Sequence, residues 1–400
     1  MPVETVPFVH DYQPGAIHYG RGCVADLGAT LADRGLDSAL VVCGRNVGAN
    51  DDLMDPILAG LGDRLAGVFA ETTPDKRVET ALAAAARMRE VGADALVPVG
   101  AGSSMDVAKA AGILHAEPRD IDAVQAEVEE TGSLAVPDGD LIPPAFAVPT
   151  TFAGADLSVM GSTTVPTDEG RVAAGMSDAA LMPTGLFYDP NAFDTTPMDV
   201  LAGSAFNGFD KALEAVYSRN ATPVTDATAL RSLRYLRSSL PRLRDADDPA
   251  VMERAVTGIL LAQYGLSVPD SVKFNVIHAF GHAFRTEFGV QQGVAHAVLA
   301  PHVLAAVFDR VDGRRELLAE ALVDGDPADP AAVVVDTVRE IRAGLDLPTR
   351  LDDVVDPTDA TLRSAAEYTL DDHLFPLGPE GFDPSVTEVE AIIRDALTGE

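Results

Sequence analysis

Along the first half of the chain, short apolar runs rich in β-branched residues alternate with alanine-rich stretches of helical period. Residues 38–43 and 95–99 read as buried strands, and residues 52–65, 78–91 and 105–115 as the helices between and after them. Strands alternating with helices at this spacing predict a parallel sheet with helical crossovers. Residues 117–144, acidic and containing several prolines, read as a surface excursion before the next strand. From Asp199 onward the period is helical almost throughout (200–217, 226–240, 249–266, 271–288, 294–311, 330–345, 359–369 and 387–397), and no segment alternates as a strand should. The boundary falls near 190–197, so an α/β domain is expected over 1–192 and an all-helical domain over 193–400.

Composition narrows the class. With 400 residues, 47% of them hydrophobic, the chain can bury one large core or two moderate ones. No run approaches the ~20 apolar residues that span a bilayer, and the first residues have neither a basic start nor an apolar stretch, so a soluble, cytoplasmic protein without a membrane partner is expected. Cys23 and Cys43 sit among small and apolar residues and give neither a disulfide framework nor a thiolate cluster. Against 62 acids stand 29 bases, a formal charge of -33, which excludes nucleic acid as a partner because nothing could neutralise a phosphate backbone. The acids are scattered, as in proteins adapted to concentrated salt, where the Debye length falls to ~3 Å; a halophilic source is expected. Nearly all the bases are arginine. The lysines are Lys76, Lys109, Lys211 and Lys273, which makes each of them worth asking about.

The strand at 95–99 runs into Gly100, Ala101, Gly102, Ser103 and Ser104, and a helix starts near Met105. Small residues at a strand-to-helix turn let backbone N–H groups and the positive helix end approach a pyrophosphate, although such turns also occur with no ligand. The run from Gly100 through Asp106 to Lys109 resembles the GGGS-x-x-D-x-x-K signature of the iron-type alcohol dehydrogenases. The likeness continues in residues 15–22, in the Pro-Thr-Thr segment at 148–158 and in Phe187-Tyr188-Asp189-Pro190. This resemblance implies a Rossmann-like dinucleotide-binding domain followed by an all-α catalytic domain, the dehydroquinate synthase-like fold. It also implies that Gly100, Ala101, Gly102 and Ser103 hold the pyrophosphate of NAD(H) or NADP(H) and that Thr150 and Thr151 lie along the cofactor. Asp106 and Lys109 belong to the signature, as helix-capping or surface residues or as cofactor contacts. The family's second strand commonly ends in an aspartate that accepts from the ribose 2′-hydroxyl; here that position is Gly44. Losing the carboxylate removes a repulsion, and Arg45 can pair with a 2′-phosphate, so NADP(H) is admitted; a solvated loop base is the other reading of Arg45.

In the family a divalent metal is held by an Asp, a His four residues later, and two further His fourteen residues apart. The matching positions here are Asn207, Lys211, His278 and Gln292. An ammonium cannot coordinate a cation without losing its proton, and amide oxygens are poor partners for iron or zinc, so a catalytic metal is not expected. Asp210 is no substitute, since it lies about 100° around the helix from Lys211. Maleylacetate reductases resemble this chain in having Asn at the first position and an aromatic-Ala-Gly run like Phe152-Ala153-Gly154; they are regarded as metal-independent, but keep histidines where this chain has Lys211 and Gln292.

Hydride transfer to a carbonyl needs positive charge or donors where the alkoxide develops, and a proton source. Lys211 lies four residues after Asn207, on the same helical face, and an ammonium supplies both. His278 and His282 lie one turn apart on a second helix, and the resemblance places His282 near the nicotinamide. A structural ion pair of Lys211 with Asp210 or Glu214 is the competing reading. His296 and His302 read as structural, and Phe152, Phe274 and Phe280 as core. The function expected is an NAD(P)-dependent reductase or dehydrogenase for a small oxygen-rich aldehyde, ketone or keto acid, with a homodimer admissible. A lyase or cyclase like dehydroquinate synthase, or a decayed cofactor-binding homologue, are the alternatives; decay should scatter its changes, whereas Asn207, Lys211 and Gln292 are all polar and matched to one pocket.

Overall fold

The fold was examined in a computed structural model that describes residues 7–168, 170–245, 247–266, 268 and 271–399. Two compact units divide the chain, one over Tyr12–Thr196 and the other from Pro197 onward. The residues just before Tyr12 belong with the second unit, an end effect that periodicity does not carry.

The first unit contains, in order, β1 (Ala16–Tyr19), α1 (Leu27–Ala32), β2 (Ala39–Gly44), α2 (Arg45–Gly48), α3 (Asp51–Leu61), β3 (Leu65–Thr72), α4 (Val78–Val91), β4 (Ala95–Gly100), α5 (Gly102–Ala116), α6 (Ile121–Thr131) and β5 (Phe146–Pro149). A hairpin of β6 (Met160–Thr167) and β7 (Gly170–Ser177), then β8 (Gly185–Tyr188) and α7 (Pro190–Asp194), complete it. Six strands pair in the order β1-β8-β5-β4-β2-β3, every pair parallel. Their side chains alternate between two cores: Leu40, Val42 and Leu96 pack with α4 and α5, while Val41, Cys43, Val97 and Val99 pack with α3 and Leu27 and Leu31 of α1. A parallel sheet covered on both faces is what continuous apolar strands require. Two expectations need correction. The helix expected to reach residue 65 stops at Leu61, and Leu65 instead opens the edge strand β3. The excursion at 117–144 contains α6, started by the Asp120 side chain accepting from the Ala123 N–H. In the β2–β4 register Val42 faces Pro98, so Gly44 and Gly100, each two residues further, lie together at the carboxyl ends of neighbouring strands.

The second unit consists of α8 (Met198–Tyr217), α9 (Pro223–Ser239), α10 (Pro249–Gln263), α11 (Val276–Phe288), α12 (Gln292–Arg310), α13 (Arg315–Leu322), α14 (Pro330–Gly344), α15 (Asp359–Asp371) and α16 (Val386–Thr398), and no strand among its described residues. Side-chain caps define several starts, with Thr222, Asp248 and Asp329 each followed by proline at the first helical position. The helix expected from residue 271 begins only at Val276, because Asn275 leaves helical backbone (φ -155°, ψ -106°) and its side chain accepts from the Val276 N–H. Phe152 and Phe280 are fully buried core residues as expected, whereas Phe274 is only half-buried. Among the described residues no helix is long and apolar enough to cross a membrane.

Candidate functional site

At the end of β4 the chain turns through Gly100, whose φ of +129° is one that glycine tolerates and L-residues rarely adopt. Ala101 is extended (φ -85°, ψ -176°), so the methyl group in place of a second glycine meets no backbone penalty. No side chain caps α5, which leaves the donors of its first turn to whatever approaches Gly102 and Ser103. The Pro-Thr-Thr segment is tied to this turn: Thr150 N–H donates to Gly100 O at 3.1 Å, and Thr150 and Thr151 are both buried. A Cβ on Gly102 would stand 3.4 Å from Ala155 Cβ, so the loop after Thr151 packs directly over the turn. Arg45 is exposed at the start of α2.

Asp106 and Lys109 are neither helix caps nor surface residues. Both are buried, and Lys109 Nζ donates to the carbonyls of Ala155 at 2.9 Å, Ser158 at 2.7 Å and Met160 at 2.8 Å, one acceptor for each of its N–H bonds. Asp106 takes the Lys76 ammonium at 2.5 Å, and Tyr188 Oη donates to Asp156 within the same loop. Burial pushes Lys109 down to about 8, against the pull of Asp106 and Asp156. The two signature residues thus brace the loop that covers Gly102.

In the helical unit, α8 is buried at every position from Leu201 to Tyr217 except Asn207 and Lys211. One face of an otherwise enclosed helix is therefore open at those two side chains. Lys211 Nζ donates to Gln263 Oε1 at 3.3 Å and lies 5.6 Å from the centre of the Phe274 ring. Asp210 and Glu214 are wholly buried and face histidines: Asp210 Oδ2 is 3.0 Å from His296 Nδ1, and Glu214 Oε2 is 2.5 Å from His278 Nδ1. The His278 and His296 rings meet edge to face at 4.6 Å. His282, one turn on, is partly exposed and shares a hydrogen bond of 2.9 Å between Nδ1 and Asp372 Oδ2.

Glycines let these helices close around the cluster. A Cβ on Gly281 would stand 2.1 Å from His296 Nε2 and 2.9 Å from Gln292 Cγ, and one on Gly293 would stand 1.9 Å from Gly203 O and 3.4 Å from Asn207 Cβ. Burial pushes His278 and His296 well below the usual imidazole value, and the Lys211 charge adds to this in both. Burial also drives Asp210 far up, helped by Glu214, and Glu214 up to about 8 against the pull of three backbone donors. Asn207 Oδ1 and His278 Nε2 are buried with no hydrogen-bond partner among the described residues. Lys273, the fourth lysine, is buried and bonded to the Ser271 carbonyl and, at 2.8 Å, to its hydroxyl.

Residues 14–190 match the iron-containing alcohol dehydrogenase family, and residues 201–397 match the C-terminal region of the Fe-containing alcohol dehydrogenase family. The chain belongs to this family. The chain is accordingly an oxidoreductase of the type that acts on alcohol or carbonyl groups. It is 27% identical over 360 residues, 90% of each chain, to the maleylacetate reductase of Sphingobium indicum. To the NAD-dependent methanol dehydrogenase of Bacillus methanolicus it is 29% identical over 317 residues, 77% of this chain and 79% of that one. The sulfoacetaldehyde reductase of Bifidobacterium kashiwanohense, solved in complex with NAD+, has the same fold (TM-score 0.87, 19% identity, 98% of this chain and 100% of the other).

Asn207, Lys211, His278 and Gln292, the residues that resemble the family's metal-ligand positions, offer an ammonium, two amides and one imidazole, a donor set poorly suited to divalent iron or zinc. Among the described residues no group of three or more His, Cys, Asp or Glu side chains is placed to hold one. The structure adds Asp210, Glu214, Gln263, His296 and Asp372 to the residues singled out from the sequence. His296 and Phe274, read there as structural and core, contact His278 and Lys211 respectively. Asp210 and Glu214 carried a usable signal, two acids four residues apart inside an apolar helical stripe, where an unpaired charge is costly.

Proposed function

We propose that this family member is an NAD(P)H-dependent carbonyl reductase that works without a catalytic metal, the Lys211 ammonium taking the metal's place. The observation that carries this reading is that α8, buried from Leu201 to Tyr217, opens only at Asn207 and at Lys211. The uncapped start of α5, with Gly100 and Gly102 clearing the approach, is assigned to the pyrophosphate, and Thr150 and Thr151 to the adjoining part of the dinucleotide. Gly44 and Arg45 admit NADPH as well as NADH.

The reduced dinucleotide supplies a hydride to the carbonyl carbon. Lys211 polarises the carbonyl by donating to its oxygen; as the C=O π pair moves onto that oxygen, the ammonium gives up its proton to form the alcohol and is left as a neutral amine, to be reprotonated before the next turnover. Asn207, four residues away on the same face, orients the substrate with its amide. His278 and His282 serve proton traffic, each with Nδ1 engaged by a carboxylate and Nε2 left for exchange. A donor-rich pocket of this kind suits a small oxygen-rich aldehyde, ketone or keto acid.

The test is to incubate the purified protein with NADPH or NADH and a panel of aldehydes, keto acids and maleylacetate, with and without chelator. Nicotinamide oxidation that survives the chelator is expected. Tightly bound iron or zinc whose removal abolishes activity would overturn the assignment of Lys211.

A further inference from the structure

Glu214 sits three residues after Lys211 on α8 and reaches the first turn of α11, where both carboxyl oxygens are fully engaged. Oε1 accepts from the N–H of Ile277 at 2.6 Å and of His278 at 3.3 Å; Oε2 accepts from the N–H of Asn275 at 3.0 Å and meets His278 Nδ1 at 2.5 Å. The Asn275 side chain closes the joint, donating through Nδ2 to Glu214 O at 3.2 Å and to Lys273 O at 2.7 Å. Three of the four partners of the carboxyl are backbone N–H groups, which can only donate. They lie at a helix amino terminus, whose partial positive charge also favours the anion. Burial pushes the Glu214 carboxyl up and these three donors oppose it; with them engaged the carboxyl is taken as the acceptor, and the fourth partner, Nδ1, brings the hydrogen. A neutral imidazole protonated at Nδ1 has its lone pair at Nε2, and Nε2 of His278 is the ring nitrogen with no partner among the described residues.

We infer that Glu214 is the positioning residue for His278: it fixes the Nδ1–H tautomer and the ring orientation, so that Nε2 is held as a proton acceptor beside Phe274, the ring that Lys211 also touches. The Phe274 and His278 ring centres are 5.2 Å apart. The catalytic consequence rests on the reductase reading above, while the tautomer does not. Gln at position 214 gives a sharp contrast. Its carbonyl oxygen can still accept from Ile277 and His278, at the loss of the Asn275 acceptor, while its NH2 group offers a hydrogen to Nδ1, which turns the imidazole to the opposite tautomer with Nε2 protonated. At metal sites, losing the outer partner of a histidine costs about 10- to 100-fold in activity, and a loss of that order is expected here.

The experiment is 15N-histidine NMR of the full-length protein, which has eight histidines, with the His278 resonances assigned from a His278→Gln variant and kinetics run in parallel. Wild-type protein should show His278 in the Nδ1–H form, and Glu214→Gln should show the Nε2–H form with kcat down about 10- to 100-fold and the KM for dinucleotide changed less than about twofold. Glu214→Asp should recover the tautomer and part of kcat. A wild-type Nε2–H tautomer overturns the inference by itself, whether or not Glu214→Gln folds. A flipped tautomer with unchanged kcat, in a protein whose His278→Gln variant is inactive, overturns the positioning role. If the wild type reduces no carbonyl in the panel, the reductase reading fails, and the wild-type tautomer still decides whether Glu214 fixes the ring.

Discussion

Lys211→Met separates catalysis from structure most cleanly. Methionine keeps an unbranched side chain of similar reach and removes one charge and its donors. On the structural side the losses include a long hydrogen bond to Gln263 at 3.3 Å and a cation over the Phe274 ring at 5.6 Å. A hydrogen bond from a charged group contributes about 1.5–3 kcal/mol at ideal length and a partly exposed cation–π contact about 0.5–1 kcal/mol, and the thioether packs well against the same ring and offsets part of this. On the catalytic side, losing a preorganised donor at the developing oxyanion costs about 100- to 1000-fold in turnover, or roughly 2.7–4 kcal/mol of barrier. The prediction is thus a melting temperature lowered by a few degrees at most, a dinucleotide Kd within about twofold of wild type by calorimetry, and kcat down at least 100-fold by nicotinamide absorbance. Lys211→Arg should fall between the two, because guanidinium can polarise the carbonyl but does not release its proton. Turnover of the Met variant within about tenfold of wild type would refute the reasoning, and so would activity that depends on added iron or zinc.

Gly102→Val should weaken dinucleotide binding at least tenfold by calorimetry, since even its Cβ meets Ala155 at 3.4 Å and the two methyl groups project further into the turn; an unchanged Kd would remove this loop from the site. Gly44→Asp should cost NADPH more affinity than NADH through repulsion of the 2′-phosphate; its Cβ, 3.3 Å from Thr72 O, requires only a small local shift, and a wild type that rejects NADPH outright would contradict the assignment. Asp372 is pushed up by burial, but the hydrogen bond and charge of His282 outweigh this and hold it below its ordinary 3.8. Its folded pKa is therefore the lower one, so its stabilisation is complete above the unfolded value and is lost as pH falls through the folded value. Urea titrations of wild type and Asp372→Asn should diverge most near neutral pH and converge below about pH 4; a constant gap across that window would show that the His282 pair does not set the linkage.

Much of the α/β unit was legible because β2 and β4 are buried on both faces and so read as unbroken apolar runs. β3 was not: it is an edge strand whose Phe69 is buried and whose neighbour Val68 is 37% exposed, and its eight residues follow no clean period. The later start of α11 at Val276 is not legible in the sequence because the Asn275 N–H is held by a tertiary bond to Glu214, 61 positions away. At the site, Asn207, Lys211, His278 and His282 could be picked out from helical spacing and the matched family segments. Their partners could not, since Glu214 and His278 are 64 positions apart and His282 and Asp372 are 90 apart. Lys109 shows the same limit in the other unit. Its place in the signature was visible, but not that it would hold three carbonyls of a loop about 50 positions on.

The withdrawal of the lysines has a practical side. Lys109 and Lys273 are buried and bonded, and Lys76 is held at 2.5 Å against Asp106 with its side chain 18% exposed. Lys211, bonded to Gln263 at 3.3 Å, lies on the open face of α8. Reagents that acylate amines or condense with them, which on most proteins decorate a crowd of surface lysines, should here meet little competition apart from the chain terminus. One modified peptide carrying Lys211, and its protection by a bound dinucleotide or carbonyl compound, would turn an ordinary labelling reaction into a titration of the site, readable by mass and independent of any known substrate.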